Sequence, residues 1–166
     1  MTLIELMIYL ALITFIMLAS ISLIVRFWQT SMWYQKKQVA LITIIAAHDL
    51  LSDDIWRAPC IKTAWKVQKK TELVWQREDG TYIGWLYEKK SLFRIEGMYK
   101  EKEGAWHKKT KNVVVLVLKD ILFKCQNNED VESVDFSLMD DYYTIDARAI
   151  PLERLIEKHH SIDKMT

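Results

Sequence analysis

Glycine and proline are scarce in this chain, with four and two among 166 residues. That scarcity excludes collagen-like and low-complexity chains and leaves little material for glycine-rich phosphate loops. Two cysteines are too few for a disulfide-stapled miniprotein. An excess of charge of one sign is missing too: 23 Lys and Arg stand against 22 Asp and Glu, a formal net charge of +1. A dedicated nucleic-acid binder needs a clear basic excess on one face, so none is favoured. The chain contains no G-x-S-x-G, H-E-x-x-H, Walker loop, dinucleotide-binding glycine fingerprint or C-x-x-C. With no nucleophile set beside a base, the expectation is a non-enzymatic protein without a cofactor.

What is present is uneven. From Leu6 to Val25 the chain is uncharged and mostly apolar, about 20 residues, the length a helix needs to cross the hydrocarbon core of a bilayer. A cleavable secretory signal would have a shorter apolar region, a basic flank before it and a small-residue cleavage site after it. Arg26 ends the run, and Trp28, Trp33 and Tyr34 follow where amphipathic rings favour the membrane interface. Glu5 is out of place, because a carboxylate in or beside a bilayer costs a few kcal/mol unless paired. No basic side chain lies within helical reach before Arg26. Either a neighbouring chain's N-terminal amine neutralises Glu5, or it is solvated at the headgroups, where it supports the positive end of the helix dipole.

Past the apolar run, Leu41, Ile44, Ile45, His48, Leu51 and Ile55 recur at spacings of three and four, one stripe of an amphipathic helix. Asp49, Asp53 and Arg57 occupy another face. Neither Gly nor Pro interrupts the chain before Pro59, so the pattern predicts one helix of about 55 residues stopped by that proline. From Ile61 the period becomes two. Strands are expected over Ile61–Val67, Leu73–Trp75, Tyr82–Tyr87 and Leu92–Ile95, with Asp79-Gly80 as a hairpin turn. Val113–Leu118 reads as a buried strand, Ile121–Cys125 as its continuation or partner, and Val134–Leu138 with Tyr143–Ala147 as a last pair. A short helix or tail is expected from Pro151 to His160. The fold class is α+β: residues 1–25 a membrane-scale helix, 26–58 its amphipathic continuation, and 59–166 one antiparallel sheet domain.

Thr2-Leu3-Ile4-Glu5-Leu6 followed at once by a long apolar helix resembles the mature N-terminus of type IV pilins and of the pseudopilins of type II secretion. Two further stretches narrow the likeness. His48-Asp49-Leu50-Leu51-Ser52-Asp53-Asp54-Ile55-Trp56-Arg57-Ala58 closes the long helix, and Trp85-Leu86-Tyr87-Glu88-Lys89-Lys90-Ser91-Leu92-Phe93-Arg94 follows later. Both are similar to segments of the J-type minor pseudopilin and its pilus counterpart, the W-type minor pilin. Met1 stands where the family has an N-methylated Phe, and Ser22 where many major pilins have a helix-kinking Pro.

The resemblance implies the pilin-like fold, a long helix packed on an antiparallel sheet. It also implies processing and methylation at Met1 by a prepilin peptidase, and a place in the bacterial inner membrane with the soluble domain in the periplasm or outside the cell. Charge alone points the other way, since Arg26, Lys36 and Lys37 follow the apolar run and the positive-inside rule would keep that side cytoplasmic. As a minor subunit the chain would enter the tip of a secretion pseudopilus or a pilus with partners of the H, I and K types. Glu5 would set register, and Leu41, Ile45, His48, Leu51 and Ile55 would be candidates for lateral packing. The rival readings are a minor pilin of DNA uptake and a membrane-tethered adhesion module presenting Trp65, Trp75, Trp85 and Trp106.

Other residues admit two readings each. Cys60 and Cys125 form one disulfide or remain two buried thiols. Asp140, Asp141 and Asp146 hold calcium or make an acidic turn without EF-hand spacing. His48 is a ligand or a core-edge histidine, and His159-His160 a metal site or a solvated tail. The basic residues over Lys62–Lys70 and Lys100–Lys111 guard sheet edges or contact DNA.

Overall fold

The computed structural model describes residues 2–115, 117–127 and 130–153. The chain forms two compact units, residues 1–39 and 40–166. One helix, α1 (Leu3–Trp56), contributes to both.

In the first unit α1 is apolar on every side from Leu6 to Val25 and carries polar and basic side chains from Arg26 onward. Its large side chains are exposed in every direction around the axis, from Leu3 and Ile4 through Phe15 and Ile16 to Phe27 and Trp28. Two hydroxyls of the apolar run are satisfied by the helix itself: Thr14 donates to the Leu10 carbonyl and Ser20 to that of Ile16 at 2.8 Å. Such back-bonding removes a polar demand that an apolar surrounding could not meet. This helix is long and apolar enough to cross a membrane.

In the second unit α1 becomes two-faced. Ile44, Ala47, Leu51, Asp54 and Ile55 are buried, and Ala58 just past the end joins them. Ala58 N–H closes on the Ile55 carbonyl at 3.0 Å, and Pro59, which has no N–H to continue the ladder, ends the helix.

Eight strands follow: β1 (Trp65–Lys69), β2 (Glu72–Gln76), β3 (Tyr82–Glu88), β4 (Ser91–Lys100), β5 (Ala105–Val115), β6 (Asp120–Asn127), β7 (Val131–Met139) and β8 (Thr144–Ala149). All pairings are antiparallel, and they make two sheets rather than the one expected: a five-stranded meander β1-β2-β3-β4-β5 and a three-stranded sheet β6-β7-β8. The sheets meet where Phe123 N–H donates to the Lys70 carbonyl at 2.9 Å. Ile121–Cys125 therefore does not extend β5; it pairs with Val134–Leu138 in the second sheet. The buried strand expected over Val113–Leu118 is corrected as well. β5 starts eight residues earlier, at Ala105, and stops at Val115, while Val113 is exposed. Residues 62–64 form a 3-10 turn, so β1 begins at Trp65 instead of Ile61.

The β2–β3 turn uses Asp79-Gly80 as expected. Gly80 adopts φ +81°, and Thr81 donates from its N–H and its hydroxyl to Asp79 Oδ1. Those two bonds hold the Asp79 carboxyl below its usual range. The β3–β4 turn is less expected, because Lys89 and Lys90 both take positive φ, 51° and 65°. Left-handed backbone disfavours such side chains, and here Leu118 N–H anchors the turn through the Lys90 carbonyl at 2.8 Å.

One core holds α1 and both sheets together: Ile44, Leu51 and Ile55 from the helix, Leu73, Trp75, Ile83, Trp85 and Leu92 from the first sheet, and Phe123, Val134, Phe136 and Leu138 from the second. A smaller cluster of Val67, Val74 and Tyr99, flanked by Tyr82 and Trp106, lies on the outer face of the first sheet. Gly84 permits it, since a Cβ there would stand 2.3 Å from Trp106 Cζ2.

Candidate functional site

The start of α1 carries the residues singled out for assembly. Thr2 N–H donates to Glu5 Oε2 at 2.8 Å, and Glu5 N–H returns toward Thr2 Oγ1 at 3.4 Å. This reciprocal arrangement is a capping box: a helix start leaves backbone donors unpaired, and Thr-x-x-Glu satisfies two of them. Glu5 thus has a partner within its own chain. The Thr-x-x-Glu spacing is itself the sequence signal for this cap. Met1, the expected processing position, lies outside the described residues, as do His159, His160 and most of the expected C-terminal helix.

Farther along, Trp33 and Tyr34 contact edge to face with centroids 5.1 Å apart, and Lys37 Nζ lies 3.7 Å over the Trp33 ring. Beyond residue 40 the candidates for lateral packing separate. Leu51 and Ile55 are fully buried in the chain's own core and present nothing to another subunit. Leu41 is half-buried against that core. His48 is half-buried, its Nδ1 2.9 Å from Asp49 Oδ1 and its ring 5.5 Å from that of Phe136, as a core-edge histidine. Ile45 is 43% exposed and, with Ile42 and Leu50, gives the helix an outward apolar face.

The most constrained polar group is one the sequence pattern did not single out. Asp54, 5% exposed, sits one position off the expected stripe. Arg94 on β4 grips it with two bonds, Nε to Oδ2 at 2.6 Å and Nη2 to Oδ1 at 3.1 Å, while Trp85 Nε1 donates to Oδ2 at 3.0 Å. Arg94 Nη1 also donates to Glu96 at 3.1 Å, and Arg77 reaches Glu96 at 3.5 Å. The hydrogen bond to Asp54 raises the Arg94 pKa further, although burial opposes it. A forked guanidinium on a buried carboxylate fixes both distance and orientation, so this cluster locks the end of α1 to the middle of the first sheet. Asp54 and Arg94 come from the two separate stretches on which the subtype resemblance rests.

The remaining candidates resolve by position. Trp65, Trp75 and Trp85 are buried in the core, and Trp106 is half-buried over Gly84, so these four rings do not form an exposed platform. Cys60 and Cys125 are both thiols, not a disulfide. Burial pushes the Cys125 thiol up to about 11. Asp140 spends its carboxylate on a turn, accepting the N–H groups of Tyr142 and Tyr143 at 2.6 Å each. No metal-holding group of three His, Cys, Asp or Glu occurs among the described residues. On the second sheet a shallow depression of about 410 Å³ runs past Lys124, Asp135, Ser137 and Arg148. Arg148 binds Asp135 there at 2.6 Å and holds that carboxyl below its usual range.

Compared with known proteins, the chain matches no family model, no curated protein and no solved structure. Each unit is therefore described by its own geometry: the Thr2–Glu5 cap on an exposed apolar helix in the first, and the Asp54–Arg94 pair between the helix end and the first sheet in the second.

Proposed function

We propose that this chain is a minor pilin-like subunit, non-enzymatic, that spans the inner membrane once and assembles through its N-terminal helix into the tip of a type II secretion pseudopilus or a type IV pilus. The observation that carries this reading is the sharp change of character within α1. An unbroken helix is apolar and exposed on every side at its start, then amphipathic and packed where the domain begins. Such a surface needs lipid or other apolar helices around it. The same surface suits both, and a subunit that leaves the bilayer for a filament requires that equivalence.

Glu5 has a defined part in this reading. Its Oε2 is occupied by Thr2 N–H, and its remaining acceptor positions take the N-terminal amine of a neighbouring subunit, which sets register where a misplaced helix would leave the charge unpaired. The resemblance to the J and W types supplies the remaining expectations: the pilin fold, processing at Met1 by a prepilin peptidase, a periplasmic or external domain, and H-, I- and K-type partners.

Co-purification from membranes tests the proposal. Glu5→Ala should reduce recovery of partner pilin-like subunits at least tenfold while the soluble domain keeps its thermal transition. Unchanged recovery of partners would remove the register role.

A further inference from the structure

Among the described residues β5 is the longest strand, with eleven residues, and β4 is the one strand paired with it. From Ala105 to Val113 every described residue except Trp106 is exposed, Val113 by 49%. Among the described residues no backbone hydrogen bond joins the outer edge of β5 to another segment. The other sheet boundaries are managed differently. β1 and β6 lie together, tied near Lys70 and Phe123, and β8 is only six residues long. An open edge of eleven residues is a row of unpaired donors and acceptors, which proteins ordinarily shorten, cover or guard with charge.

The charges on β5 say what would fit. Lys109, Lys111 and Val113 stand opposite Gly97, Ile95 and Phe93, alternate residues of β4, and so share one face. Lys111 is already neutralised, with Nζ 3.2 Å from Glu88 and 3.7 Å over the Phe93 ring. Lys109 is exposed and has no carboxylate among the described residues. After Lys111 the strand runs uncharged through Asn112-Val113-Val114-Val115. A second copy pairing along this edge would bring a second set of lysines to it, which like-charge repulsion opposes.

We propose that the outer edge of β5 receives an extended segment of a different polypeptide as a sixth strand, with a carboxylate near Lys109 and an apolar side chain beside Val113. Backbone bonds would supply affinity and the alternating side chains selectivity, as in other strand-addition complexes. The proposal stands on the edge alone and does not depend on the filament reading.

Amide hydrogen exchange of the full chain in detergent micelles tests it, with two synthetic ten-residue peptides as probes, one alternating Val and Glu, the other Val and Lys. The Val/Glu peptide should slow exchange across residues 105–115 at least tenfold, and the Val/Lys peptide should leave it unchanged. Lys109→Glu, at an exposed position that leaves the fold intact, should weaken the Val/Glu peptide about tenfold. Protection by neither peptide, equal protection by both, or protection that rises with protein concentration and no peptide would each overturn the proposal, the last by making a second copy the occupant.

Discussion

Residues 3–39 and residues 40–56 belong to one helix and solve opposite problems. In the first stretch the large apolar side chains are exposed and the hydroxyls of Thr14 and Ser20 are satisfied by their own backbone. Order there comes from the helical ladder and from the Thr2–Glu5 cap, while the apolar surface is left for something outside the chain. In the second stretch Ile44, Leu51 and Ile55 are buried, and the one buried carboxylate, Asp54, has three hydrogen bonds from the sheet. Helix continuity says little about function, whereas the change in burial along the helix separates the part that the chain's own core covers from the part that it leaves exposed.

The largest expected break in this contrast is Arg94→Ala. Removing the guanidinium leaves Asp54 buried with a single side-chain donor, a change of about 3–5 kcal/mol. Urea unfolding of the full chain in detergent should show it as a lower midpoint with an unchanged slope. Replacing both partners by apolar residues, Asp54→Leu with Arg94→Met, should recover much of that loss, because no charge is then stranded. A loss below about 1 kcal/mol for Arg94→Ala would mean that the ion pair does not hold the helix end.

A matched pair of substitutions sharpens the comparison. Leu51→Ala should destabilise the domain by about 2–5 kcal/mol, the cost of a cavity in a packed core. Leu18→Ala removes the same atoms from an exposed position and should shift the unfolding of the domain by less than about 0.5 kcal/mol. Equal effects at both positions would abolish the distinction between the two stretches.

A smaller effect concerns pH. The Cys125 thiol, held up to about 11 by burial, is kept protonated by the fold. The sign follows: its contribution is intact below the unfolded thiol value of about 8.5 and is lost as the pH rises from there toward 11. Cys125→Ala should flatten that alkaline limb of the stability profile. Alkylation of Cys125 at pH 8 should likewise be about a hundredfold slower in the native chain than in urea, since the thiolate is the reacting form.

Much of this architecture could be read from residue patterns, and the misses have physical causes. The helix, its stop before Pro59 and the Asp79-Gly80 turn are local events written in spacing and backbone preference. The phase of the buried stripe was not. It runs through Ala47 and Asp54, where a small side chain and a paired carboxylate replace the large hydrophobes that periodicity seeks. Of β5 only the end, from Val113, carries a strand pattern, for a related reason. His107, Lys109, Thr110 and Lys111 have no apolar alternation, and their strand conformation comes from pairing with β4. The division into two sheets is likewise a matter of long-range pairing that strand periodicity does not encode. At the candidate site, Thr2 and Glu5 stood at capping-box spacing in plain view, whereas the meeting of Asp54 and Arg94, forty residues apart, required the fold.

If the first part of the chain serves an outside apolar environment, the remainder should fold by itself. Circular dichroism and sedimentation of a fragment beginning at Arg26 test that most directly. The expected result is a soluble protein in plain buffer with a spectrum rich in β structure and a cooperative thermal transition. An aggregated fragment, or one with a helix-only spectrum, would contradict it.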